Sequence, residues 1–184
     1  SIKYNPEDRC YLCKTAVFSM IINVAKEQGY DCVIDGTNFD DISDYRPGLR
    51  ALKELEVKSP LLECKLTKAE IRAFSKELGL NTWDKPPYAC LLTRIPYGDE
   101  LKVEAFERIE KAERFMMSIG FRAVRVRCHG DLARVEVNRN DRSKLFDEEL
   151  LDTIAEKIKE CGFKYVTMDL QGYRVGSFNE TIHI

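Results

Sequence analysis

The chain has 184 residues, of which 44% are hydrophobic and 33% charged, with 29 Lys and Arg against 31 Asp and Glu. This length allows one domain or two small ones, and the composition excludes a disordered or collagen-like chain. No apolar run reaches the roughly 18–20 residues of a membrane-spanning helix, so we expect no membrane association. The net charge of −2 gives no electrostatic reason to expect nucleic acid as a partner.

The first half of the chain is predicted to be mostly helical. A helix is expected over residues 10–28, with Asp8 as its N-cap, and the residues from Thr67 to Glu70 match a capping box. The apolar run 32–34 reads as a strand buried on both faces, which needs parallel neighbours that the sequence does not contain. Residues 1–95 are therefore interpreted as the carboxy-terminal part of a larger α/β domain.

The second half predicts a small α+β domain over residues 96–184. The order α-β-β-α-β indicates a three-stranded sheet covered by two helices. The helices and strands are expected, in chain order, at residues 101–119, 121–129, 132–137, 147–161 and 163–170.

Seven cysteines are the unusual feature of the composition. An odd number cannot pair completely into disulfides, and the sequence starts without a recognisable secretory signal. We therefore expect a reducing, cytoplasmic setting with free, catalytic or metal-bound cysteines. Four of them lie in or beside apolar patterns and are interpreted as core residues: Cys32, Cys64, Cys128 and Cys161.

The remaining cysteines could bind a metal. Cys10 and Cys13 form a CxxC pair at the start of the first predicted helix, where a helix N-terminus favours the thiolate. The pair alone could be half a zinc site, a redox pair or chance. Cys90 lies in a proline-rich loop near Arg94 and would provide a third thiolate. Three thiolates can hold a four-iron cluster with one iron open to an external ligand.

Two further groups of polar residues could bind ligands. The stretch Asp35–Asp41 follows the predicted strand, where open α/β sheets bind nucleotides and their magnesium; the alternative is an ordinary Asx turn. Arg125 and Arg127 share one face of a strand and could clamp an anion. The alternative there is a solvated face with cross-strand ion pairs, for example to Glu136.

Several stretches, spread over almost the whole chain, together resemble one family. The chain is similar to the ATP-dependent sulfur transferases of nickel-pincer nucleotide synthesis, the LarE family. The resemblance is carried by Asn5–Lys14, Asp35–Asp41, Asp44–Gly48, Leu66–Arg72, Thr82–Pro86, Ala89–Gly98 and Asp169–Arg174.

The resemblance implies both a fold and a reaction. Residues 1–95 would be the carboxy-terminal portion of a PP-loop, Rossmann-like ATPase domain with the sulfur-donor loop, and residues 96–184 a domain for substrate binding and oligomerisation. ATP and Mg²⁺ would adenylate a carboxylate of a pyridinium mononucleotide, and sulfur transfer would give a thiocarboxylate. The family's glycine-rich SGGxDS loop is absent from this sequence. Adenylation is therefore expected to need an amino-terminal PP-loop segment or subunit, and the family resemblance also implies a homo-oligomer.

The resemblance also implies roles for individual residues. It places the ATP side of the site, with Asp41 near Mg²⁺, at Gly36, Thr37, Asn38 and Asp41. It gives Arg125 and Arg127 the phosphate of the substrate, with Glu113 orienting them, and it gives Cys90 the sulfur-donor position. The version of the mechanism favoured here has a [4Fe-4S] cluster on Cys10, Cys13 and Cys90.

Three alternatives stay open from the sequence. In some family members a single cysteine, here Cys90, gives up its own sulfur. The chain could instead be a non-catalytic subunit that binds the substrate or a cluster. A third alternative is tRNA thiolation, which related enzymes of the PP-loop superfamily perform.

Overall fold

A computed structural model describes residues 1–43, 46–85 and 89–174. The chain forms two compact units: a first unit of Ser1–Ile2 and Pro6–Lys85, and a second unit of Lys3–Asn5 and Pro86–Ile184. The predicted domain boundary lies at residue 95, and the loop around Cys90 here belongs to the second unit. Of the stretches that carry the family resemblance, three residues lie outside the described ranges: Asp44, Tyr45 and Pro86.

The first unit is built from helices, as expected. They are α1 (Arg9–Glu27), α2 (Pro47–Glu54), α3 (Pro60–Glu63) and α4 (Lys68–Glu77), with a 3-10 helix at Phe39–Ser43. The Tyr11 hydroxyl of α1 donates to the Glu54 carboxylate of α2 over 2.6 Å. Asp8 occupies the N-cap position of α1 but makes no capping hydrogen bond with its side chain.

The capping box of α4 is confirmed. The Thr67 hydroxyl accepts from the Glu70 N–H over 3.3 Å, and the Glu70 carboxylate accepts from the Thr67 N–H over 2.8 Å. These bonds satisfy two of the N–H groups that a helix start otherwise leaves without a partner.

The strand predicted at residues 32–34 is expected to be buried by neighbours from outside this chain, and among the described residues it is not buried. Ile34 makes only a parallel bridge to Lys58, and the Ile34 side chain is 63% exposed. Cys32 and Cys64 are exposed as well, so their interpretation as core residues is wrong. The apolar residues of α1 share this exposure: Val17, Met20, Ile21 and Val24. The sequence pattern indicates surfaces that need burial, and among the described residues these side chains remain 40–63% exposed.

The second unit confirms the mixed α/β prediction and the order α-β-β-α-β. Its main elements are α5 (Val103–Ser118), β1 (Val124–His129), β2 (Leu132–Val137), α6 (Glu148–Glu160) and β3 (Tyr165–Met168). Among the described residues the sheet has the order β1-β2-β3, with β1 antiparallel and β3 parallel to the central β2. Short 3-10 helices precede α5 at Leu91–Arg94 and follow β2 at Arg139–Phe146.

One face of this sheet carries the hydrophobic core of the unit. The alternation along β1 and β2 turns every second side chain towards α5 and α6. The buried apolar residues on this face of the sheet are Val124, Val126, Cys128, Ala133, Val135 and Val137, and those on the helices include Ile109, Met116, Ile154 and Ile158. The core interpretation of Cys128 is thereby confirmed.

None of the described helices combines the length and the apolar character that crossing a membrane requires.

Candidate functional site

The Cys90 turn, residues Ala89–Arg94, holds its backbone firmly and leaves its thiol exposed. The Cys90 carbonyl accepts from the Thr93 N–H over 3.0 Å and from the Thr93 hydroxyl over 2.8 Å. The Cys90 side chain is exposed, so its sulfur can meet a reactant without any rearrangement of the core.

Arg94 links this turn to helix α5. Its side chain is 1% exposed, and its Nε and Nη2 donate to the two carboxylate oxygens of Glu113 over 2.7 and 3.0 Å. Its Nη1 reaches the turn, where it donates to the carbonyls of Ala89 (3.2 Å) and Cys90 (3.4 Å) and to the Thr93 hydroxyl (2.8 Å). Glu113 also accepts from the Val126 N–H of β1 over 2.9 Å, so it ties the arginine to the sheet.

Arg127 forms a second buried pair on the polar face of the sheet. Its Nε and Nη2 donate to Glu136 over 2.9 and 2.8 Å, and its Nη1 donates to the Thr93 carbonyl over 2.5 Å. The ion pair with Glu136 that the sequence suggested is present, but the face is buried rather than solvated, because both residues are at most 5% exposed. Arg134, which is more exposed, adds a third bond to Glu136 over 3.0 Å.

Arg125 lies beside this network and is 2% exposed. Its Nη1 donates to the Val124 carbonyl over 2.7 Å, and its guanidinium lies 4.6 Å from the centre of the Tyr173 ring. Burial, followed by the charge of Arg94, lowers the pKa of Arg125 below its ordinary value. A nearby anion would stabilise the charged form of Arg125.

The described part of this face gathers buried charged residues of both signs. Three arginines (Arg94, Arg125 and Arg127) and two glutamates (Glu113 and Glu136) are each at most 5% exposed. The structure thus gathers all three residues predicted for the substrate anion, with Glu113 bonded to Arg94 and to β1.

The predicted ATP-side stretch forms a tightly bonded turn in the first unit. Thr37 and Asn38 are buried, and the Asp41 carboxylate accepts from the Asn38 N–H (3.1 Å) and side-chain amide (2.9 Å). The other oxygen of Asp41 pairs with Arg46 over 3.0 Å. Asn38 Oδ1 accepts from the Asp40 N–H over 3.1 Å, so the Asx turn is present. Gly36 has open space where a side chain would begin.

Asp35 fixes the start of this turn. It accepts from the Ser59 hydroxyl over 2.6 Å and from the Thr37 N–H over 3.2 Å. Partial burial by itself would raise the pKa of Asp35, but the hydrogen bonds from Ser59 and Thr37, with the charge of Lys14, outweigh it and lower the pKa.

Cys10 and Cys13 lie together on the first turn of α1, with Cys10 exposed and Cys13 half-buried. Within each unit, the residues that the structure describes contain no group of three or more His, Cys, Asp or Glu side chains suited to hold a metal ion. The predicted set of three thiolates draws on both units, since Cys90 belongs to the second, and it stays a prediction.

Sequence reasoning missed the connecting roles of Arg94, Thr93 and Glu136. Arg94 drew notice only as a cation near Cys90, and Glu136 only as an ion-pair partner. The signal that was available is the alternation of β1 and β2, which puts Arg127 and Glu136 on one face. The partner of Arg94 is 19 positions away on a helix, and no local pattern indicates it.

Comparisons with known proteins agree with the family resemblance. No family model matches the chain. An uncharacterized protein of Synechocystis sp. is 42% identical over 178 residues, covering 97% of this chain and 66% of the relative. An uncharacterized protein of Methanocaldococcus jannaschii is 39% identical over 170 residues, covering 92% of this chain and 66% of the relative.

The third relative has an assigned activity. The pyridinium-3,5-bisthiocarboxylic acid mononucleotide synthase of Lactiplantibacillus plantarum is 36% identical over 182 residues, covering 98% of this chain and 65% of the synthase. The chain spans about two thirds of the length of the curated relatives it matches. Over nearly its whole length, this chain is therefore related in sequence to a synthase of a thiocarboxylated pyridinium mononucleotide.

Proposed function

We propose that this chain is the larger part of a LarE-family, ATP-dependent sulfur transferase. It would convert a carboxylate of a pyridinium mononucleotide to a thiocarboxylate in nickel-pincer cofactor biosynthesis. The observation that carries this proposal is the 36% identity over 182 residues to the Lactiplantibacillus plantarum synthase. The exposed thiol of Cys90 on a fixed backbone supports it, because the sulfur-donor position needs an accessible sulfur.

The chemistry needs an activated carboxylate. A free carboxylate is a poor electrophile, so its oxygen attacks the α-phosphorus of ATP and pyrophosphate leaves. A sulfur nucleophile then attacks the acyl carbon, AMP leaves, and the thiocarboxylate remains. Cys90 is proposed to hold the source of sulfur beside the acyl carbon, as one of the thiolates that would bind a cluster supplying sulfide. In the sacrificial alternative, the Cys90 thiolate itself attacks the acyl carbon, and its Cβ–S bond then breaks to leave dehydroalanine.

The ATP side of the reaction is proposed for Gly36, Thr37, Asn38 and Asp41, with Mg²⁺ near Asp41. The bonded turn supports this, because a backbone that is already ordered loses little entropy on binding. One Asp41 oxygen accepts two bonds from Asn38, and the oxygen that pairs with Arg46 retains a lone pair that a cation could use.

The phosphate cradle is proposed to come from a PP-loop segment or subunit outside this chain. Its contact surface would be the exposed apolar residues of α1 together with Ile34, because exposed apolar patches of this kind mark interaction surfaces. The greater length of the relatives is compatible with such a segment.

The sequence predicts a substrate phosphate near Arg125 and Arg127, with Glu113 orienting them. We retain this proposal for Arg125, because Arg127 donates to Glu136 and to the Thr93 carbonyl, and Glu113 accepts from Arg94 and Val126. The burial of Arg125, which lowers its pKa, supports the proposal, because a nearby anion would stabilise its charged form. A homo-oligomer, which the resemblance implies, stays a prediction.

A [4Fe-4S] cluster is proposed as the source of sulfur. Cys10 and Cys13 are three residues apart on a helical turn, so their thiols share one side of α1, and together with Cys90 they provide the soft thiolate ligands that iron–sulfur clusters use. When bound by three thiolates, such a cluster supplies one iron that is open to an exchangeable sulfide. The alternative, sacrifice of the Cys90 sulfur, predicts a different protein product.

The test of the proposed function is formation of the thiocarboxylate. The whole protein, with its PP-loop segment or subunit, is prepared without oxygen and incubated with ATP, Mg²⁺, sulfide and a pyridinium mononucleotide carboxylate. The product is identified by mass spectrometry. We expect product from the wild type and from Cys64→Ala, a matched control at an exposed cysteine, and none from Cys90→Ala. No product from the wild type would refute the proposed function, and full activity of Cys90→Ala would refute the role of Cys90.

A further inference from the structure

We infer that two buried ion pairs, Arg94–Glu113 and Arg127–Glu136, hold the Cys90 turn in the conformation that presents its thiol. The four residues are thus positioning residues for the sulfur-bearing cysteine. The inference rests on the proposed function in one respect only, that Cys90 is the residue that carries sulfur.

The first pair fixes the beginning of the turn. The guanidinium of Arg94 is a rigid plane, so binding both oxygens of Glu113 (2.7 and 3.0 Å) determines the direction of Nη1. That direction leads to the Cys90 carbonyl and to the Thr93 hydroxyl, which itself donates to the same carbonyl. Glu113 is anchored to the edge of the sheet by the Val126 N–H.

The second pair fixes the end of the turn from another element. Arg127 uses Nε and Nη2 on Glu136 and directs Nη1 to the Thr93 carbonyl. The two carbonyls that close the turn, those of Cys90 and Thr93, are therefore each held by a different buried arginine. The bonds from Arg94 and Arg127 to the turn end on backbone carbonyls or on the Thr93 hydroxyl. They therefore hold the backbone, while the Cys90 side chain is exposed.

Four buried charges are a costly way to obtain stability alone. Desolvation of a buried ion pair cancels much of its attraction, and a well-packed apolar replacement is often as stable. Such a pair fixes the orientation of its arginine. Here the Nη1 groups of both arginines donate to carbonyls of the same six-residue turn.

This assignment differs from the one that the family resemblance implies for Arg127 and Glu113. If Arg127 acts on the substrate phosphate, its replacement weakens substrate binding and leaves the free protein unchanged. If Arg127 positions Cys90, its replacement loosens the turn before any substrate is present. The two roles therefore differ in a measurement on the free protein.

The test compares four variants of the whole protein by amide hydrogen exchange without ligands, and then by steady-state kinetics. Thr93→Val removes the hydroxyl from the turn, Thr93→Ser retains it, and Arg127→Lys removes the planar fork. Arg108→Lys is the matched control, because Arg108 also bonds backbone carbonyls of the second unit, those of Gly130 and Gly162, but no hydrogen bond that the structure gives it reaches the Cys90 turn.

We expect Thr93→Val and Arg127→Lys to speed exchange of the Thr93 amide by about tenfold or more, the usual effect of losing a charge-assisted bond. The value of kcat should fall to a similar degree, while KM for the mononucleotide changes less than about twofold. Thr93→Ser and Arg108→Lys should match the wild type in both measurements.

Unchanged exchange in Thr93→Val and Arg127→Lys, with a raised KM in Arg127→Lys, would overturn the inference and return Arg127 to the phosphate. If Arg127→Lys does not fold, the Thr93→Val and Thr93→Ser pair decides, because Thr93 is only half-buried. If the wild type forms no thiocarboxylate, the proposed function fails, and the exchange measurement still decides whether the pairs hold the turn.

Discussion

Replacing Glu136 by glutamine isolates the effect of burial on an ion pair. Glu136 is 2% exposed and accepts from Arg127 over 2.9 and 2.8 Å and from Arg134 over 3.0 Å. The Glu136→Gln change keeps the shape, removes the charge and turns one acceptor into an NH₂ group that faces donors. The Arg127 charge stays buried, and the substituted side chain at position 136 offers it one acceptor oxygen at most.

Removing one partner of a buried ion pair costs about 3–5 kcal/mol, and the remaining amide oxygen places Glu136→Gln near the lower end, at about 3 kcal/mol. The matched control is Glu110→Gln on α5. Glu110 pairs with Arg114 over the same 2.8 Å, but the two side chains are 50% and 74% exposed. Exposed pairs of this spacing contribute only about 0.3–0.5 kcal/mol.

The assay is urea denaturation followed by hydrogen exchange of the β1 and β2 amides, which report on the second unit alone. We expect Glu136→Gln to lower the free energy of unfolding of this unit at least several times more than Glu110→Gln does. Equal, small losses in both variants would refute the reasoning, because they would mean that burial contributes nothing to the Arg127–Glu136 pair.

Three further predictions follow from single contacts. Thr67→Ala should destabilise the first unit by about 1 kcal/mol through loss of the helix cap, measured by urea denaturation with Trp83 fluorescence; no change would contradict the capping role. Cys128 should be alkylated far more slowly than Cys64 at pH 8, because burial raises the pKa of the Cys128 thiol. Peptide mass spectrometry follows both rates, and equal rates would contradict this prediction. Burial alone would raise the pKa of Asp35, but the hydrogen bonds that its carboxylate accepts lower that pKa by more. Its folded pKa is therefore below the unfolded value of about 3.9, so its contribution to stability should be full above about pH 4 and lost as the pH falls further, and Asp35→Asn should remove that part of the acid dependence. An unchanged acid transition would show that Asp35 contributes nothing.

The second unit could be predicted from sequence because its signals are local. The alternation along β1 and β2 gives the two faces of the sheet, and the helical spacing in α5 and α6 gives the elements that cover one of them. The capping box of α4 is likewise complete within four residues.

The first unit shows what such patterns leave out. The apolar run 32–34 and the apolar stripe of α1 indicate surfaces that need burial, but a pattern does not say which part of a protein provides the cover. Ile34 is accordingly 63% exposed among the residues described here.

The site shows a second limit. Alternation placed Arg125 and Arg127 on one face, but whether that face is solvated depends on the Leu91–Arg94 helix, whose Thr93 carbonyl accepts from Arg127. The bond between Arg94 and Glu113 joins a loop to a helix and has no period in the sequence. Tertiary pairing of this kind is decided by packing rather than by local spacing.

The proposed reaction is ATP-dependent sulfur transfer through Cys90, with sulfur supplied by a proposed cluster on Cys10, Cys13 and Cys90. The most direct measurement is the mass of the Cys90 peptide after the whole protein, prepared without oxygen and supplied with iron and sulfide, has turned over with ATP and the mononucleotide. We predict an intact Cys90 and more than one thiocarboxylate formed per protein chain. A Cys90 peptide lighter by one H₂S, with no more than one thiocarboxylate per chain, would contradict the cluster and establish sacrifice of the cysteine.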